Sequence, residues 1–258
     1  MFVTNFIRRI PIERLMSAGR ATPSTSPACT PIEIAQSMII SINKRLTYTD
    51  RSIIMRAMTN IPDTKQHILD TAATLFHTQS YGDVGIATIC KEAGVSKGSF
   101  FHFFPSKQDL GVAVLEQFRE KINATLVAKA FSSQYPPMER LLRFVHELYQ
   151  FQKDQVDQHG HLPGCPFGNI VMEQATQDDV LRTKADGCIR SIANHLRTAV
   201  TDAVQSGELP PLDESATAEA MFGYLEGIQL MAKARNDPEL IRTLGPAVTS
   251  IRVPRPIQ

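Results

Sequence analysis

The stretch Ile86–Phe104, IATICKEAGVSKGSFFHFF, holds two short helical runs separated by a turn at Gly94. Glycine suits a turn position that needs positive φ, where other residues are strained. Ile86, Ile89, Cys90, Val95 and Phe100 are spaced to form a small core between the runs. Ser96 is placed to cap the second run, and Lys97, Gly98 and Ser99 fill its first turn. There the orphan backbone amides and the positive end of the helix dipole favour phosphate. Lys97 can reach a guanine edge or a phosphate. Phe101 and His102 follow on the exposed side, and Thr88 is a further polar candidate on the first run. Lys107, beside the next helix cap Ser106, is placed to pin a flanking phosphate. This is how a helix-turn-helix offers a recognition helix to the major groove of double-stranded DNA. The plainer alternative is a helical hairpin with an aromatic plug.

Working outward, Ile68, Ala72, Leu75 and Phe76 follow helical spacing, with Asp63 as cap and Gly82 as terminator. Beyond Pro105, Leu110, Val114, Leu115 and Phe118 predict a fourth helix, in a region ended by Pro136–Pro137. Leu141, Leu142, Val145, Leu148 and Tyr149 predict a fifth, followed by a polar loop, DQVDQHGHLPG. Order resumes over 164–173. A long stripe from Cys188 to Ala203 ends at Gly207, Asp213 introduces another helix, and Asp237–Pro238 the last. No run alternates as a strand does. The expected fold is all-α: an extension over 1–60, a helix-turn-helix head over 61–108, a helical body over 109–250 and a tail over 251–258.

The chain of 258 residues is 43% hydrophobic, enough for a full core, and its net charge is +1. Residues 61–110 carry four Lys/Arg against five acids, so any DNA contact depends on a few well-placed groups. No stretch approaches 18 apolar residues, so no membrane partner is expected. The four cysteines lie far apart, which suits a reduced, cytoplasmic and nucleoid-associated protein. Residues 1–60 hold eight Lys/Arg and three acids around ATPSTSPACTP. They read as a disordered arm or an over-extended reading frame starting truly at Met55 or Met58. The rivals are a transit-like segment and a basic arm on DNA phosphates.

The pieces ILDTAATLF, YGDVG, AGVSKGSFFHFFPSKQDL and AVL resemble the DNA-binding head of the tetracycline-repressor (TetR) family. The resemblance covers about fifty residues directly, from about Thr64 to Leu115. It implies a homodimer whose two recognition helices read a pseudo-palindromic operator, and repression relieved by a small-molecule effector in the body. Two positions depart from the family. Val84 and Gly85 stand where Thr or Ser is usual, and Phe101 stands where Tyr is favoured. The phosphate bond of that hydroxyl is therefore missing, a loss of about 1 kcal/mol.

In the body, LPGCPFGNIVMEQA (162–175) is similar to the GC-x-x-x-N stretch of one TetR branch, which includes repressors answering electrophiles, quinones or acrylate-like compounds. In some of these the matching cysteine, here Cys165, is the sensor. A helix start lowers a thiol pKa, which favours that role; the alternative is a small cysteine packed at a tight helix entry. Phe144, Tyr149, Phe151, Met172, Phe222 and Met231 are candidates for a ligand cavity or for core, with Phe144 and Met172 the nearest to Cys165 in role. His159, His161 and Cys165 match no common zinc spacing. No metal, cofactor or catalytic constellation is expected, so the chain is read as no enzyme. The rival classes are a thiol-dependent enzyme around Cys165 and a helical interaction protein that binds no DNA. Gly223 and Gly227, four apart, with 185–204, fit the four-helix dimer interface that the resemblance implies.

Overall fold

The computed structural model describes residues 64–255. Every regular element among them is helical. The expectations for 1–60 and for Asp63 as a cap fall outside the described residues.

The head consists of α1 (Thr64–Thr78), α2 (Ile86–Glu92) and α3 (Lys97–Phe103). α1 ends at Thr78, before Gly82, and Tyr81 folds back edge-on to Phe76 with ring centroids 4.9 Å apart. Between α2 and α3, Gly94 takes φ +62°. Its amide bonds Lys91 O at 3.1 Å and the Val95 amide bonds Cys90 O at 2.9 Å. These two bonds satisfy the last carbonyls of α2, a closure that needs a left-handed residue at Gly94. Ser96 Oγ then accepts the Ser99 amide at 3.0 Å to start α3. Ile68, Ile89, Phe100, Phe104 and Val84 close the core beneath the turn.

Ser106 caps α4 (Lys107–Ile122) by accepting the Asp109 amide at 3.0 Å and donating to Asp109 Oδ2 at 2.7 Å. α4 leaves the head and enters the body, burying Leu110, Val114, Leu115 and Phe118, and runs on through a wide turn at Asn123–Val127 to Ala130. The body adds α5 (Pro137–His159), α6 (Pro166–Gln174), α7 (Asp179–Gln205), α8 (Glu214–Arg235) and α9 (Glu239–Leu244), closed by a 3-10 turn at Gly245–Ser250. α7 is the central post; it touches α4, α5, α6 and α8.

Two expectations need correction here. Most of the polar run DQVDQHG is not a loop, because α5 continues to His159 and stops only at Gly160, φ +78°. Polarity marks its solvent side, where Lys153 pairs with Asp157 at 2.5 Å, while Gln152 continues the buried side. Leu142, counted with the apolar stripe, is 43% exposed. The ends of α7 and α8 match their signals: Gly207 is left-handed, and Asp213 accepts the Ala216 amide at 2.8 Å.

Candidate DNA-binding face and effector cavity

α3 turns one side inward and one side out. Phe100 is fully buried beneath it, whereas Lys97, Gly98, Phe101 and His102 are exposed and Ser99 is half-buried. Thr88 and the capping Ser96 are exposed beside them. A lysine, a bare glycine backbone and a cap at a helix start form one face on which phosphate and base edges can be met. Phe101, 48% exposed, sets its ring edge-on to Phe100, so the face carries an apolar contact where the family's tyrosine has a hydroxyl. Gly85 starts α2 with no side-chain cap.

Lys107 does not stand free beside Ser106. Its ammonium lies 4.4 Å from the Tyr81 ring centroid and donates to Gly82 O at 3.3 Å. Burial pulls its pKa down, against the opposing pull of Glu173 and Asp83. The ammonium has three donors, and the Gly82 carbonyl takes one of them.

The body encloses an apolar cavity of about 30 Å3 among α4, α5, α6, α7 and α8. Phe144, Leu148, Phe151, Phe222 and Leu225 form much of its wall, with Cys165, Gln152 and Gln229 as its polar part. Phe144 is thus at the cavity. Met172 is not: it is 74% exposed on the outer side of α6. Tyr149 turns away to donate to Glu239 at 2.6 Å, and Met231 faces outward.

Cys165 is packed at the entry of α6. It caps α6, its Sγ accepting the Gly168 amide at 3.4 Å. Burial, followed by the charge of Glu226, pushes its thiol well above the usual value, overwhelming the helix-start amides that favour a thiolate. Glu226 is itself pushed up by burial, with an opposing effect from its bond to Cys165. Cys188 is buried core, as read. Among the described residues no His, Cys, Asp or Glu cluster could hold a metal ion, and no helix is long and apolar enough to cross a membrane. His161 is exposed, and His159 lines a different, polar cleft of about 350 Å3 between α1, α4 and α5.

Sequence reading missed the polar chain joining cavity to head. Glu226 Oε2 accepts from Gln229 Nε2 at 3.4 Å, and Gln229 Oε1 accepts from Gln152 Nε2 at 3.1 Å. Gln152 Nε2 also donates to Gly164 O at 3.1 Å. The same carbonyl meets His77 Nε2 of α1 at 2.9 Å. A carbonyl only accepts, so the neutral His77 ring carries its proton on Nε2. Burial lowers the His77 pKa to about 4. Further ties run from Glu173 to the Gly82 amide, 2.9 Å, and from Gln108 to Asp178, 2.9 Å. A signal existed: Gln152 follows Leu141, Val145 and Leu148 on the buried stripe of α5, and Gln229 follows Leu225 on that of α8. A polar residue on an apolar stripe needs a partner.

Two family models match the chain. Residues 68–114 match the bacterial regulatory proteins of the tetR family, and residues 137–248 match the tetracyclin repressor-like C-terminal domain. The chain is 32% identical to the transcriptional regulator AcuR of Cereibacter sphaeroides over 173 residues, 65% of this chain and 77% of AcuR. It is 28% identical to the transcriptional repressor NemR of Escherichia coli K12 over 175 residues, 66% of this chain and 84% of NemR. The crystal structure of a regulatory protein TetR from Rhodobacter sphaeroides superposes with a TM-score of 0.64 at 26% identity, over 73% of this chain and 98% of that one. With a helix-turn-helix whose recognition side is bare and a helical body behind it, the chain belongs to the TetR family of DNA-binding transcriptional regulators.

Proposed function

We propose that this protein is a homodimeric repressor that holds a pseudo-palindromic operator through α3 of each protomer and lets go when a small effector enters the body cavity. The observation that carries this reading is the exposed Lys97–Gly98–Phe101–His102 face on a helix whose other side is locked by Phe100. A second copy finds a ready surface on α8, where Gly223 and Gly227 are exposed with open space above them and Leu230 is 52% exposed. A dimer places two α3 helices one helical turn of DNA apart or a multiple of it.

A reversible effector is favoured over thiol chemistry, and the cavity of about 30 Å3 has to widen to admit it. A thiolate is the reactive form, and the buried Cys165 resists ionisation. Operator titration at several salt concentrations, with and without candidate effectors, tests the reading. Lys97→Ala is expected to weaken binding and flatten the salt slope by about one unit. Unchanged affinity and slope would remove α3 from the interface. Should Cys165→Ser abolish release by an electrophile that releases the wild type, the thiol reading replaces the reversible one.

A further inference from the structure

The polar cleft between α1 of the head and α4 and α5 of the body measures about 350 Å3, against about 30 Å3 for the body cavity. That is the size of a small-molecule site, and such sites gather where two units of a chain meet. Ala73, Phe118 and Phe151 give the cleft an apolar wall, and Lys121 and His159 stand exposed at its rim. Its charge is uneven. Asp70 lies seven residues from His77 on α1, about 10 Å of helix, and both Gln66 and Gln117 donate to its Oδ1. Beyond burial, the charges that lower the His77 pKa are those of Lys233, Lys121 and His159, all cationic. Lys129, Lys153 and Lys184 pair with Glu147, Asp157 and Glu116, and Lys233 holds Asn169, whereas Lys121 has no such partner among the described residues. The hydroxyls of Thr74 and Thr78 donate to carbonyls of α1 itself. The donors left for a ligand are Lys121, His159 and the amides of Gln155 and Gln158. We propose that this cleft binds a small aromatic carboxylate, with its anionic group on Lys121 and His159 and its ring against Phe118 and Phe151. It is a second ligand site, separate from the body cavity of the reading above.

Charge and surface select that class together. An organic cation would face Lys121 and His159, and a dicarboxylate would set its second group toward Asp70. Water can fill the space, but it brings neither an opposite charge for Lys121 nor an apolar face for the two phenylalanines. The position carries a consequence for the head. α1 belongs to the head and α5 to the body, so a molecule seated here touches both. Two ties already cross this junction, Gln117 to Asp70 and His77 to Gly164 O. Occupancy adds a third, and it links the two affinities: the factor by which the ligand changes operator binding is the factor by which the operator changes ligand binding.

2-Naphthoate and 2-naphthamide share a frame and differ in charge, and their fluorescence is read directly in a chain without tryptophan. In the full-length protein the naphthoate is expected to bind at least about ten-fold tighter than the amide. Equal affinities, or binding by neither, overturn the proposal; the comparison needs no variant. Lys121 is exposed, so its substitution leaves the packing in place. Lys121→Gln is expected to lower naphthoate affinity at least about five-fold with the amide unaffected, and Lys121→Arg to keep most of it. Undiminished binding in Lys121→Gln would put the carboxylate elsewhere, the body cavity included, and overturn the site. Naphthoate is then titrated into the free protein and into its operator complex, where the two affinities are expected to differ at least about five-fold. Equal affinities overturn the link to the head. That link alone rests on the operator-binding reading: a protein that holds naphthoate as expected yet binds no operator refutes that reading and leaves the site standing.

Discussion

The head and the body put their working groups on opposite sides of their packing. In the head the core is inert and the function lies outside: Phe100 is buried so that Lys97, Gly98, Phe101 and His102 can face outward. In the body the candidate effector site lies within, where side chains from five helices surround one cavity. An outward face is set by the local phase of one short helix. An inward one depends on how distant helices pack. The difference teaches where substitutions act: head variants separate stability from recognition, and body variants mix them.

The largest expected effect breaks the head from within. Phe100→Ala removes a fully buried ring and is expected to cost about 3–5 kcal/mol, read as a lowered unfolding midpoint and lost operator binding. Its neighbour Phe101→Ala should leave the midpoint nearly in place and lower operator affinity alone; equal losses of stability would show that the two sides of α3 are not distinct.

Acid should strain the junction. His77 has its pKa lowered from 6.5 to about 4, so the unfolded chain binds the proton more readily than the folded one. Stability therefore falls as pH drops from 6.5 toward 4, by about 3 kcal/mol in full. Denaturant unfolding at a series of pH values checks this, and in His77→Gln that component should disappear.

Lys97→Ala comes next, at about 1 kcal/mol of operator affinity with stability unchanged. The smallest effect belongs to Met172→Ala. Its side chain points away from the cavity, so stability is expected to move by less than about 0.5 kcal/mol and effector response not at all. A changed response would mean that the outer side of α6 takes part in sensing.

Legibility followed the same division. The turn at Gly94 and the caps Ser96, Ser106 and Asp213 are local features, with partners three to five residues away, and each is where its spacing indicated. The polar end of α5 misled because a hydrophilic run looks alike in a loop and on a solvent-facing helix; the buried Gln152 distinguishes them. The seat of Lys107 over Tyr81 was not legible because that ring comes from 26 residues earlier in the chain. Cys165 admitted two readings for a subtler reason. Its position at a helix start favours a thiolate, but that local effect is small beside the desolvation imposed by the packed body.

By itself, the sequence determined the helical fold, the helix-turn-helix and the family, because periodicity, caps and turn glycines act over a few residues. Tertiary structure alone decided that Gln152, Gln229 and Cys165 share a cavity, that Cys165 is held as a thiol and that Gly164 O links the cavity to His77. Those contacts span up to 87 residues of chain, and burial, which sets their hydrogen bonding and ionisation, exists only once the helices have packed.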